Sequence, residues 1–293
     1  MIELNKVNVS YGKKKILQDI SMTFVSGEVV GLVAPNGTGK STLLNALMNH
    51  VAVQSGTITF DQHLTYKNEK TRMKIYRMIS IMPDQNDLYA HLTGWEHLKM
   101  YKGIWKAKKI NLKQLVARLG MSHYVGQKVK TYSLGMKQRL CFAMQIACDT
   151  QIMLMDEVMN GLDPNNVELI SEVIDEKRQE GKTILIASHL LENLHQYADR
   201  IFFIENGQLE LFTADQQEDN AIYLKLSKVD YELLVEKVGV EMFPIEIDHA
   251  VLVDVSQKEY RQLLINHLDD LDIMSYSVQP MDLTDTYKLK YLK

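Results

Sequence analysis

The chain opens with residues suited to extended structure. IELNKVNV at 2–9 alternates apolar and polar positions as a half-buried strand does, and DISMTF at 19–24 does so again. EVVGLVA at 28–34 is apolar after its first residue, which suits a strand at the centre of a parallel sheet with both faces covered. The period then changes: STLLNALM at 41–48 carries apolar residues at helical spacing. GTITF and MISIMP at 78–83 read as further strands, and the stretch from about 93 to 148 as mostly helical. Within it, INLKQLVARLGM has the three-to-four spacing of an amphipathic helix. IMLMD and TILIAS are strands that alternate with helices near 165–180 and 190–198, the order of a doubly wound α/β sheet. IFFIENGQLELF at 201–212 reads as a hairpin turning at Asn206-Gly207.

At 214–220 the run ADQQEDN is polar and acidic, the mark of a linker. Beyond it the pattern gives strand, helix, strand, helix, strand: AIYLKLSK, DYELLVEKVG, IEIDHAVLVDVS, KEYRQLLINHL and MSYSVQ. These patterns predict an α/β domain over 1–213 with a helical subdomain at about 85–148, a linker over 214–220, and a small α+β domain over 221–293.

Composition narrows the function classes. With 293 residues the chain has room for a large domain and a small one, and its net charge of −4 gives no electrostatic footprint for nucleic acid. No apolar run approaches the roughly eighteen residues of a membrane span, and MIELNKVNVSYG is not a signal peptide. The two cysteines, Cys141 and Cys148, fall on one helix face and read as core residues in a reducing compartment. A cytosolic chain is expected, so any membrane-spanning part belongs to another polypeptide.

The chemistry is carried by short motifs. In APNGTGKST at 34–42 the glycines let successive backbone N–H groups turn inward around a phosphate, and the helix that follows adds its positive end. Asn36, Gly37, Thr38, Gly39, Lys40, Ser41 and Thr42 are the phosphate-binding candidates, with Lys40 reaching the β- and γ-phosphates and Ser41 holding Mg²⁺. IMLMDE at 152–157 puts Asp156 and Glu157 at the carboxyl end of a buried strand: Asp156 for Mg²⁺, Glu157 to orient and deprotonate the attacking water. YSLGMKQRL at 132–140 opens a helix at Ser133 and Gly135, a second anion-binding end; the plain alternative is a helix cap at Ser133.

Taken in order with GLDP at 161–164 and SH at 188–189, these motifs resemble the ATP-binding subunit of an ABC (ATP-binding cassette) transporter over residues 1–212. The resemblance implies an α/β, ABC-type P-loop ATPase with a mixed sheet core, a helical subdomain and a small C-terminal α+β domain. It implies ATP and Mg²⁺ as cofactors, an integral membrane permease, and a second cassette in a homo- or heterodimer. Ser133 and Gly135 would then bind the γ-phosphate of ATP held by the opposite cassette, and Asp163 would contact that cassette. His189 would sit near the γ-phosphate and Tyr11 would stack on adenine. Three departures stand out. Ala34 replaces a glycine, and its fit requires a negative φ. Leu134 and Met136 replace the usual glycine and glutamine. In MPDQNDLY, Asp84 occupies the register of the family's glutamine and Gln85 lies one step on; both stay as candidates, with Gln85 assigned to the metal.

The signature and the short C-terminal domain resemble the bacterial group that exports peptide antibiotics, lantibiotics and peptide toxins. The competing reading is a soluble ATP-gated clamp on a cytosolic target. The basic run from Lys102 to Lys109, flanked by Trp95 and Trp105, reads either as a solvated helical face or as a surface turned to a membrane.

Overall fold

The computed structural model describes residues 1–189, 194–212, 221–239, 244–270, 273 and 275–291. The stretch read as a linker, 214–220, lies outside the described residues. The chain divides into two compact units, Met1–Leu211 and Phe212–Lys293.

The first unit contains two sheets. Strands β1 (Ile2–Tyr11), β2 (Lys14–Phe24) and β4 (Ser55–Phe60) form an antiparallel sheet in the order β2-β1-β4. The opening strands thus make a sheet of their own, apart from the parallel one. That second sheet has the order β5-β6-β7-β3-β8-β9, from β3 (Val29–Val33), β5 (Ile79–Ile81), β6 (Ile152–Asp156), β7 (Thr183–Ser188), β8 (Arg200–Glu205) and β9 (Gln208–Phe212). β3 is buried along its whole length, as its unbroken apolar run requires. Asn206 and Gly207 both take positive φ, the backbone a two-residue hairpin turn demands.

Register decides where the chemistry sits. β7 runs parallel to both β3 and β6, pairing Val33 with Ser188 and Asp156 with Ala187. The carboxyl ends of three adjacent strands therefore finish level, and the loops leaving them converge, the usual place for a ligand in an open parallel sheet.

Helix α1 (Lys40–Leu47) follows the phosphate loop. Helix α2 (Glu69–Met78), which strand and helix patterning alone does not reveal, starts at a capping box in which the Asn68 and Thr71 side chains each accept from the other's backbone N–H. The mostly helical stretch resolves into α3 (Gly94–Trp105), α4 (Leu112–Arg118) and α5 (Leu134–Ala147). α4 is shorter than INLKQLVARLGM suggests, because Asn111 caps it late and it ends before Gly120, a residue at φ +64. α5 is buried from Leu140 to Ala147 and contains Cys141; Cys148 caps its end, and both thiols are free and buried. α6 (Pro164–Gln179) and α7 (Leu194–Tyr197) complete the unit, in which no described helix is long and apolar enough to cross a membrane.

In the second unit, β10 (Tyr223–Ser227), β11 (Ile245–Ile247), β12 (Ala250–Asp254) and β13 (Ser277–Gln279) form an antiparallel sheet in the order β11-β12-β10-β13. With α8 (Lys228–Val238) and α9 (Lys258–Asp270) this is the split β-α-β-β-α-β arrangement. IEIDHAVLVDVS is a hairpin of two strands and not one, because Asp248 takes φ +52 and turns the chain. A further helix, α10 (Leu283–Tyr291), follows the last strand, and Leu289 packs with Ile247, Leu252 and Met281.

Candidate active site

The phosphate loop bends through Gly37 at φ +82 and Gly39 at φ +120, conformations that side-chain-bearing residues rarely adopt. Gly39 caps α1, so the helix's unpaired N–H groups face the loop. Ala34 has no positive φ, so its methyl adds no backbone strain and the departure from glycine is accommodated. Lys40 is 5% exposed; its ammonium donates to the carbonyls of Ala34 and Pro35, the latter at 3.2 Å. Burial lowers its pKa, and the charges of Glu157 and Asp156 oppose that shift. Thr38 Oγ1 donates to Pro35 O at 2.9 Å and holds the loop's shape.

Ser41 Oγ donates to Asp156 Oδ2 at 2.5 Å, joining the start of α1 to the end of β6. Burial raises the Asp156 pKa and the Ser41 hydrogen bond lowers it. The other carboxylate oxygen, Oδ1, is buried and accepts no hydrogen bond. An orphaned carboxylate oxygen beside a hydroxyl fits a hard divalent cation such as Mg²⁺. Among the described residues no group of three or more His, Cys, Asp and Glu could hold a metal alone. The protein ligand set is thus small, which suits a cation that keeps water and substrate phosphate oxygens around it.

Glu157 takes φ +51, a left-handed conformation that costs a non-glycine residue energy and is found at functional sites. Its backbone N–H donates to Ala187 O at 2.8 Å, so β7 fixes the strained turn. The side chain then lies between Lys40 and His189: Oε1 is 3.6 Å from Lys40 Nζ, and Oε2 is 2.8 Å from His189 Nδ1. The His189 N–H also donates to Oε2, at 3.4 Å.

A cavity of about 260 Å³ is lined by Tyr11, Asn36, Gly37, Lys40, Ser41 and Glu157, among others. Tyr11, 53% exposed, stands at its edge. Sequence reasoning missed Ile16, which lines the same cavity. A second, larger cleft brings Asp84 and Gln85 to Asp156 and Glu157. The Asp84 carboxylate accepts from Asn86 N at 2.7 Å and caps the short turn Gln85–Asp87. The Gln85 amide donates to the side chain of Gln138 on α5. Gln138, 3% exposed, donates in turn to Glu157 O at 2.8 Å and Val158 O at 2.9 Å. This link from Gln85 through α5 to the back of Glu157 was not foreseen; a glutamine on the apolar face of α5 was its only trace in the sequence.

Ser133 and Gly135 stand elsewhere, at the start of α5, where Ser133 Oγ accepts from Met136 N at 3.3 Å as a helix cap. Leu134 beside them is 61% exposed. Asp163 caps α6, accepting from Asn166 N at 3.1 Å; that bond and the Asn166 side chain hold its carboxyl below the ordinary aspartate value.

The family model described as ABC transporter matches residues 17–160. The lantibiotic transport ATP-binding protein SrtF of Streptococcus pyogenes is 33% identical over 211 residues, covering 72% of this chain and 90% of its own. The ABC transporter ATP-binding protein YdbJ of Bacillus subtilis is 29% identical over 294 residues, covering 98% and 94%. Among solved structures, an ATP-binding subunit of an ABC transporter aligns with a TM-score of 0.65 at 22% identity, over 82% of this chain and 93% of that one. A dimeric cassette in a post-hydrolysis state with ADP and Pi aligns with a TM-score of 0.64 at 23% identity, over 72% and 97%. At such identities the solved structures establish the fold, and the curated relatives establish the family. The chain belongs to the ABC transporter ATP-binding proteins: it is an ATPase, the ATP-binding subunit of a transporter.

Proposed function

We propose that this ATPase powers export of a peptide antibiotic or peptide toxin through a separate integral membrane permease, working as one half of a cassette dimer at the cytoplasmic face of the membrane. ATP lies with its adenine on Tyr11 and its phosphates against residues 36–42. Lys40 neutralises charge on the β- and γ-phosphates. Ser41 and Asp156 hold Mg²⁺, with Gln85 the third candidate, and the cation supplies charge neutralisation at the phosphates. Glu157 accepts a proton from the attacking water, and His189 steadies the carboxylate and the γ-phosphate. Ser133 and Gly135 complete the site of the opposite cassette, and Asp163 meets that cassette. Closure on ATP and reopening after hydrolysis drive the permease. Residues 1–213 form the cassette and 221–293 an accessory domain.

The observation that carries the hydrolytic part is Glu157, strained in its backbone and set between Lys40 and His189 at the mouth of the phosphate loop. Support for peptide export comes from the lantibiotic transport relative. The experiment is steady-state ATPase activity of the purified chain, alone and co-expressed with a membrane protein encoded beside it. Activity that rises with the partner and disappears in Glu157→Gln is expected. Equal activity with no stable membrane complex would remove the permease from the reading.

A further inference from the structure

Acidic and basic residues are unevenly spread along this chain. Between Glu96 and Asp149 there is no acidic residue, while nine lysines and two arginines fall there; all 37 Asp and Glu lie elsewhere, in a chain of net charge −4. Much of that positive charge gathers at one place. Trp95, Lys99 and Lys102, at helical spacing on α3, line a groove of about 670 Å³ with Lys108, Lys109 and Lys113 from the connection to α4 and its first turn. Lys106 lines an adjoining hollow. Lys102 Nζ donates to Ile110 O at 2.6 Å and pins that connection; the other five lysines are exposed. Among the described residues, none of the ion pairs uses any of these lysines.

A merely solvated face would intersperse both signs of charge and keep apolar groups away. Here Trp95, Ile110 and Leu112 line the groove itself. Long lysine stems lie along apolar surface while their ammoniums reach outward. The groove holds lysines and no arginine, so it offers point charges for a diffuse anionic surface and no planar forks for paired carboxylates. Indole and aliphatic side chains beside lysines are the composition of surfaces that settle at a bilayer's headgroups.

We propose that this groove docks on a membrane rich in anionic phospholipid, the lysines pairing with headgroup phosphates while Trp95 enters the interface. The proposal rests on the reading of the chain as a subunit working at a membrane. Its assay, however, needs neither permease nor turnover, so the two readings fail separately.

The test is flotation of the full-length chain, without permease, on vesicles of phosphatidylcholine alone or with about one-third phosphatidylglycerol. Binding roughly tenfold stronger on the anionic vesicles is expected, lost at about 0.5 M salt, where surface charge is screened. K99E/K106E/K109E should fall to the level on neutral vesicles, while the matching lysine-to-arginine variant should bind as the wild type does. ATPase activity retained by both variants verifies that they are folded. Equal binding to neutral and anionic vesicles, no binding to either, or undiminished binding by the charge-reversed variant would each overturn the proposal. So would capture by a soluble acidic peptide with no vesicle binding, which would assign the groove to a protein partner.

Discussion

His189 Nδ1 lies 2.8 Å from Glu157 Oε2, and the two residues reach each other from the ends of adjacent parallel strands. The contact depends on register: a slip of one residue between β6 and β7 would turn one of the two side chains to the other face of the sheet. Replacing Glu157 by Gln keeps size and shape but removes the proton acceptor. Turnover is expected to fall by about 10²–10⁴ with ATP affinity nearly unchanged. His189→Ala is expected to lower kcat less, because the carboxylate remains. Fluorescent-nucleotide binding beside phosphate release separates the two effects, and full turnover by Glu157→Gln would remove that residue from its role.

Leu134 and Gly161 are fitted to each other. A Cβ on residue 161 would stand 2.7 Å from Leu134 Cδ2, and Gly161 sits at φ +73. Gly161→Ala is therefore expected to cost about 1–2 kcal/mol from contact and backbone strain together. Leu134→Ala alone, at an exposed position, should stay within about 0.5 kcal/mol. In the double variant the contact is relieved and the strain is not, so chemical denaturation should show partial recovery; none would place the whole cost in the backbone.

Gln138 joins three segments through two hydrogen bonds to backbone carbonyls and one to Gln85. Gln138→Leu fills the space but leaves the carbonyls of Glu157 and Val158 without that donor in a buried place. A loss of about 1–3 kcal/mol is expected, the cost of an unsatisfied buried polar group. Because Glu157 loses the support behind its strained turn, kcat should fall while KM for ATP holds. A loss of stability with unchanged kcat would leave Gln138 a purely structural role.

What could be read from the chain and what could not divide along physical lines. The phosphate loop and IMLMDE declare themselves because their chemistry needs contiguous residues: glycines where φ is positive, and acids where a buried strand surfaces. β3 was legible because burial on both faces leaves an unbroken apolar run. The Gln85–Gln138 link was not, since it pairs side chains 53 residues apart and no local pattern encodes it. α2 escaped because only Ile75 is buried along it, which leaves no apolar stripe to see. α10 escaped for a different reason: Asp285, 1% exposed, sits inside it paired with Lys225, and a buried acid reads in sequence as surface.

The start of α3 carries a pH-dependent contribution whose sign is determined by Glu96. Its Oε2 accepts from Thr93 N at 2.7 Å and from Thr93 Oγ1 at 2.8 Å, and these bonds hold its pKa below the ordinary 4.5. A carboxylate whose pKa is lower folded than unfolded contributes stability above its unfolded value, and loses it as pH falls through the folded one. Glu96→Gln should therefore unfold at a lower temperature than the wild type at neutral pH. The difference should narrow only on the acid side of 4.5 and close once the wild-type carboxyl is protonated. Because α3 bears the lysine groove, amide exchange in its first turn is the matched local measurement: faster exchange in Glu96→Gln at neutral pH, converging with the wild type in acid. A difference that persisted unchanged below the folded pKa would mean the capping box works through shape alone.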